Sequence, residues 1–137
     1  MKEGRLGDEY LILFAEGETA SATERYQLEA WLPGFVLVGI RSWDDLIVRD
    51  VGGRTYTIPS VPLDQKHLAP FSLPQSPSLD ADDRYTGKIK WYVSPLVFGG
   101  DPRAKDNINW VNHDQHAALV AWWNAKYVEL KTRTGGS

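Results

Sequence analysis

The sequence predicts an α+β fold: an antiparallel β-meander sheet flanked by helices, with a long C-terminal helix packed on the sheet. Three observations carry that reading. The β-rich runs "FVLVGI", "DLIVRD" and "RTYTIPS" follow one another between Phe35 and Ser60, separated by "RSW" and "VGG". A helical pattern precedes them, and a longer one with 3.6-residue apolar spacing follows from Asn112 to about Leu130. Helices segregated from a run of hairpin-connected strands give the α+β class. At 137 residues the chain fits one domain, residues 1–137, large enough to bury its own core.

Taken in order, Gly7 to Ala15 contains "EYLILFA", a run compatible with a short helix or an opening strand; the helix is the reading adopted. Ser21, with Glu24 three residues on, has the capping-box pattern for a helix over "ATERYQLEAW", which Pro33 and Gly34 would end. Gly52-Gly53 supplies the positive φ values of a tight hairpin between the second and third strands. Pro59, Pro62, Pro70, Pro74 and Pro77 then fix φ and remove N–H donors, so residues 60–84 are expected to wrap the surface as a long connection. In "GKIKWYVSPLVFGGDP", Ile89, Trp91 and Val93 alternate with Lys88, Lys90 and Tyr92 as in a half-buried strand, and Gly99-Gly100-Asp101-Pro102 ends it in a turn. Asn112 followed by Gln115 starts the last helix, where His116, Leu119, Val120, Trp123, Tyr127 and Leu130 share a core stripe. Lys126, Lys131 and Arg133 gather at its C-terminus, complementing the helix dipole.

Composition narrows the function classes. A net charge of -3 and no stretch rich in Lys and Arg argue against a nucleic-acid partner. No run of about eighteen apolar residues exists to span a bilayer, so no membrane partner is expected. The first eighteen residues lack the features of a secretory signal, which predicts a cytoplasmic protein. The absence of cysteine excludes disulfides, thiolate catalysis and cysteine-ligated zinc.

The stretch "SWDDLIVRD" at residues 42–50 gathers three carboxylates and a tryptophan. On a strand, adjacent side chains point to opposite faces, so Asp44 and Asp45 are not expected to converge on one metal or scissile bond. Asp44 and Asp50 share a face but, six residues apart at about 3.3 Å each, stand about 20 Å apart, whereas glycosidase carboxylates lie within about 10 Å. These acids are expected to bracket a strand as turn and edge residues. His113 and His116, at i and i+3, are two ligands at most, and His116 belongs to the core stripe. There is no nucleophile elbow, P-loop or dinucleotide glycine pattern. No catalytic residue, metal or cofactor is therefore assigned. Trp91 and Trp123 fit core faces, whereas Trp43 lies in a hairpin turn and Trp122 points about 100° from Trp123. Large aromatics off the core stripes either cover a second apolar patch or anchor a protein partner. An enzyme or small-ligand reading would rest on Asp101, Asp106 and His113, with the proline-rich segment as a lid.

The succession "YLILFAEGE", "LPGFVLVGI" and "DLIVRDVGGRTYTIPSVPLD" resembles the SUKH superfamily, an α+β fold shared by fungal cell-wall assembly regulators and bacterial immunity proteins. The matching features are Val38-Gly39, Ile47 to Asp50, Gly53, and Tyr56 to Pro59, within about residues 8 to 65. The later "KIKWYVSPLVFGGDP" and "NINWVNHDQHAALVAWWNAKY" are similar to a C-terminal portion of some bacterial members. Arg41-Ser42-Trp43-Asp44-Asp45 departs from the glycine-rich sequence common after the "fG" strand. The resemblance implies a protein that binds and neutralises a cognate bacterial toxin, needing no catalytic residues. An acidic balance favours a basic toxin, and the partner-binding candidates are Trp43, Asp44, Asp45, Asp101, Asp106 and Trp122. A regulatory or scaffold domain on the same fold is the alternative.

Overall fold

Leu46, Ile47 and Val48 are consecutive and all fully buried, which requires a strand covered on both faces. The computed structural model supplies that cover; it describes residues 2–73, 79–82, 84–93, 99–101 and 103–134, the last four by their helix backbone. Six strands form one antiparallel sheet in chain order: β1 (Lys2–Leu6), β2 (Glu9–Leu13), β3 (Val36–Arg41), β4 (Asp45–Arg49), β5 (Thr55–Pro59) and β6 (Ala69–Pro70). A second, two-stranded sheet pairs β7 (Ile89–Tyr92) with β8 (Ile108–Val111). Helices α1 (Thr19–Arg25) and α2 (His113–Thr134) complete the α+β architecture.

On the inner face, Ile12, Ile40, Leu46 and Ile58 make a cross-strand row through paired positions of β2 to β5. Tyr26 and Leu28 from the α1 region, Ile89 and Trp91 from β7, and Ala117 and Val120 from α2 join the same core. The outer face buries Leu11, Leu13, Val38 and Ile47 beneath Phe71, Leu73 and Leu79 of the proline-rich segment. That segment does wrap the sheet, as expected. It also carries regular structure that its prolines hid: a 3-10 turn at Gln65–His67, and β6 on the edge of β5. Pro74 and Pro77 lie outside the described residues.

The structure corrects several expectations. Residues 9–13 are a strand rather than a helix: β2 is central and buried on both faces, so its apolar run is continuous. Gly7 (φ +62) and Asp8 close a two-residue hairpin onto β1. The first helix begins before Ser21 and stops at Arg25, where Gln27 turns left-handed into a 3-10 turn at Leu28–Ala30. The helix has no side-chain cap; Glu18 instead closes the 3-10 turn Glu16–Glu18 that leads into it, accepting from the Ala15 N–H at 2.8 Å. In the β4–β5 loop only Gly53 has positive φ; the Gly53 N–H bonds to the Asp50 carbonyl, a turn followed by one left-handed residue. Val93, expected to be core, is largely exposed. The long helix does start in an Asn112/Gln115 capping box (2.8 and 3.0 Å). Its body lies against α1 and β7, reaching the sheet through the shared core, and its buried face includes Ala117 and a polar residue, Asn124. Lys126 pairs with Glu129 at 4.0 Å, and the side chains of Lys131 and Arg133 lie outside the described residues.

His116 sits in that core, its Nδ1 2.6 Å from the Tyr26 hydroxyl and its ring 5.4 Å from Trp91. Burial pushes its pKa down to about 3 and raises that of Tyr26. The unfolded chain takes up this proton near pH 6.5, the folded chain only near 3. Between those values the unfolded state binds more protons, so this group's contribution to stability is present above about pH 6.5 and lost on acidification. Resistance of the wild type to urea should therefore fall between about pH 7 and about pH 4.5, and His116→Gln should show a smaller decline. Equal declines would show that His116 does not set the acid limit.

Candidate functional site

Pairing of Arg41 with Asp45 leaves Ser42, Trp43 and Asp44 as the loop between β3 and β4. Ser42 (φ +45) and Trp43 (φ +65) both adopt the left-handed conformation, which costs a non-glycine residue about 1 kcal/mol or more and is rare for a bulky one. The surroundings hold it there. The Ser42 N–H donates to the Tyr10 carbonyl (2.7 Å), and the Asp44 carbonyl accepts from the Ser60 N–H (3.0 Å). The Trp43 ring stacks on Tyr10 at 5.2 Å and meets Tyr85 and Trp110 edge-on at 5.0 and 5.3 Å. Trp43 thus joins an aromatic cluster linking the two sheets, half-buried and packed on its neighbours rather than projecting free.

The contacts of Asp44 and Asp45 agree with their expected divergence: Asp44, which precedes β4 after two left-handed residues, reaches Lys90 of β7, whereas Asp45, opposite Arg41 and in line with Leu11, lies on the outer face of the sheet. Both residues line one cleft of about 520 Å³. Its other walls are Pro59 to Pro62, His67, the β7 residues Lys90, Trp91 and Tyr92, and Tyr127 of α2. Asn124 anchors one wall from within: its Oδ1 accepts from the Leu63 N–H at 2.6 Å, and its Nδ2 donates to the Ser60 and Val120 carbonyls at 2.8 Å each. The cis Val61–Pro62 bond lies between those two attachment points.

Each acid at the cleft has a cationic neighbour. Asp44 faces the Lys90 ammonium at 3.8 Å, and that ammonium stands 5.0 Å from the Tyr92 ring centroid and 5.9 Å from that of Trp43. Asp45 lies 4.0 Å from Arg41, whose guanidinium is chiefly engaged by Glu9 (Nε to carboxylate, 2.7 Å) and packs over Phe71. Burial raises the pKa of Asp44, partly offset by Lys90 and reinforced by Asp45. Burial likewise raises that of Asp45, offset by Arg41 and reinforced by Glu9. The Asp44 side chain nevertheless remains 47% exposed, so it stays within reach of a ligand.

The other candidate residues do not gather here. Asp50 caps its own turn, accepting from the Arg54 N–H at 2.9 Å and the Tyr56 hydroxyl at 3.2 Å, which holds its carboxyl below the ordinary range. Asp101 organises the turn before β8, accepting from the Arg103 N–H at 2.9 Å, and Asp106 is exposed in the 3-10 turn that follows. Trp122 is 57% exposed on α2, edge-on to Trp123, beside a separate shallow groove that Arg25 and Ala121 also line. His113 packs near Phe14, and burial lowers its pKa. None of Asp101, Asp106, His113 and Trp122 lines the cleft. Among the described residues, no group of three or more His, Asp or Glu side chains is placed to hold a metal ion.

Sequence reasoning missed Lys90, Tyr92, His67, Tyr127 and Asn124. Lys90 and Tyr92 had a signal, the polar half of an alternating strand, but nothing in the sequence said which surface that half meets. No family model matches the chain, and neither a curated protein nor a solved structure matches it significantly. Among the described residues, no helix is long and apolar enough to cross a membrane.

Proposed function

We propose that this protein is a binding module that docks a basic protein partner on the face containing Trp43, Asp44 and Asp45. The observation that carries this is an aromatic-walled cleft whose lining includes Trp43, Asp44 and Asp45, presented by a loop held in a strained conformation. Strain retained at a surface loop is commonly associated with function, and concentrated negative charge steers a basic partner into contact. In the setting implied by the SUKH resemblance, the partner is a bacterial toxin and the protein a cytoplasmic immunity factor that blocks it by association. A housekeeping partner would make it a scaffold or regulator using the same face. The hydrolase alternative built on Asp101, Asp106 and His113 draws no support from the cleft, since none of the three lines it.

Co-expression with the product of the adjacent gene tests the reading. Retention of that product through purification, and rescue of cells from it, are the expected results; absence of both would reject a cognate toxin. Asp44→Lys combined with Asp45→Lys should weaken association about tenfold or more, chiefly through a slower, less salt-sensitive on-rate. Thermal stability should change by no more than about 1 kcal/mol, because both pairs are partly exposed. A large stability loss would assign these acids to the fold instead.

A further inference from the structure

We infer that the partner adds a strand to β7: an extended segment of it lies in the cleft and pairs with the backbone of Lys90 and Tyr92. This rests on the proposed docking role and adds the mode of recognition. In an antiparallel ladder, hydrogen-bonded pairs alternate with unbonded ones, whose N–H and C=O groups point outward from the ribbon. The Val93 N–H donates to the Asn107 carbonyl at 2.7 Å, so in this register Trp91–Asn109 and Ile89–Val111 are the bonded pairs. Lys90 and Tyr92 therefore turn two donors and two acceptors away from β8, and no hydrogen bond from elsewhere in the described residues reaches them. The cleft is where they point. The side chains of Lys90 and Tyr92 leave one face of β7 and that of Trp91 the other, yet all three residues line the cleft, which therefore runs along an edge of the strand. β8 occupies the opposite edge. Other strand edges are guarded: Asp80 bridges β1 at Arg5 through two bonds (2.7 and 2.9 Å), Pro70 ends β6, and the Trp110 N–H of β8 donates to Asn109 Oδ1 at 3.0 Å. At β7 the outward groups instead meet an open volume of about 520 Å³, within the range of ligand sites. An extended backbone offers a donor and an acceptor on one edge at every second residue, about 6.6 Å apart, which matches Lys90 and Tyr92. The facing wall does not compete, since Pro59 and Pro62 have no N–H; with Trp91 and Tyr127 it offers apolar contact to the segment's side chains. The segment is thus β-forming, with an aromatic or aliphatic residue at its centre. A two-stranded ribbon is marginal alone, and a third strand completes it.

The test is amide hydrogen exchange of the ¹⁵N-labelled protein, alone and with a capped six-residue peptide of alternating threonine and valine that carries one central phenylalanine. In the free protein the Lys90 and Tyr92 amides should exchange at least about tenfold faster than those of Trp91 and Val111. With the peptide at millimolar concentration both should slow at least about threefold. The same peptide with proline in place of the two residues after the phenylalanine should leave them unchanged. Tyr92→Pro removes an outward N–H that no ladder bond uses, so the fold should survive while peptide binding weakens about tenfold or more. Tyr92→Val keeps that N–H and should bind within about threefold of wild type. If Tyr92→Pro fails to fold, the exchange contrast in the wild type decides alone. Protected Lys90 and Tyr92 amides in the free protein, no slowing with the peptide, equal slowing by the proline peptide, or equal losses for the two Tyr92 variants would overturn the inference. The docking reading is judged separately with the adjacent gene's product. If that protein perturbs the cleft while the Lys90 and Tyr92 amides stay unprotected, the face stands and strand addition falls; if it is not retained, the docking reading falls and the peptide still decides the edge.

Discussion

Replacing Asn124 with leucine is expected to lower stability by about 3 kcal/mol or more, a loss of about 10 °C in Tm. Asn124 is almost wholly buried, and three hydrogen bonds converge on its amide. Val120 contributes a carbonyl that lies within the helix, so its loss there is modest. Leu63 and Ser60 differ: they belong to an irregular segment, and leucine would leave a buried N–H and a buried carbonyl without these partners, each costing about 1–3 kcal/mol. Because Ser60 and Pro62 line the cleft, partner binding should weaken as well. Asn124→Asp is the informative comparison, since it keeps an acceptor for the Leu63 N–H but removes the donor and buries a charge. Chemical denaturation of the three proteins checks this; a change below about 1 kcal/mol for the leucine variant would mean that water replaces the amide.

Gly39→Ala is expected to destabilise by about 3 kcal/mol, at the upper end of what overpacking costs. The reason is proximity rather than dihedral strain. A Cβ at Gly39 would lie 2.5 Å from the Ile12 carbonyl oxygen and 3.0 Å from Leu13 Cδ2, at the β-bulge where Val38 and Gly39 together oppose Ile47. Relief requires β2 and β3 to move apart in the middle of the sheet. Gly52→Ala provides the control, because its Cβ would meet nothing closer than Asp50 Oδ1 at 3.4 Å and its φ is ordinary; it should be neutral within about 0.5 kcal/mol. Gly53→Ala, at φ +87, should cost about 1 kcal/mol. Comparable losses for Gly39→Ala and Gly52→Ala would refute the close-contact explanation.

The meander from β3 to β5 was legible because each strand is short, β-rich and bounded by turn residues. The start of α2 was legible because Asn112 and Gln115 make the box that their spacing announces. The opening hairpin was obscured by its own burial: with both faces of β2 covered, polar alternation disappears, and only Gly7-Asp8 marked the turn. At the cleft, residue chemistry singled out Trp43, Asp44 and Asp45, and strand alternation anticipated that the two acids meet different neighbours, Lys90 and Arg41. Local sequence does not announce a left-handed Ser-Trp pair, since its stability derives from Tyr10, Tyr85 and Trp110, distant in the chain. Lys90 and Tyr127 reach the cleft, and Asn124 its supporting wall, from elements whose packing is a tertiary property. Asp101 and Asp106 were chosen by residue type, and Trp122 by its place off the core stripe; Trp122 is exposed as that place implies, but none of the three lines the cleft.

Amide chemical-shift mapping with the adjacent gene's product, in an inactive form, asks most directly whether this cleft is the docking surface. The expected result is a contiguous set of perturbations at residues 43–45, 60–61 and 90–92, lost when Asp44 and Asp45 are both replaced by lysine. Perturbations confined to the exposed face of α2 around Trp122, with the cleft unaffected, would contradict it.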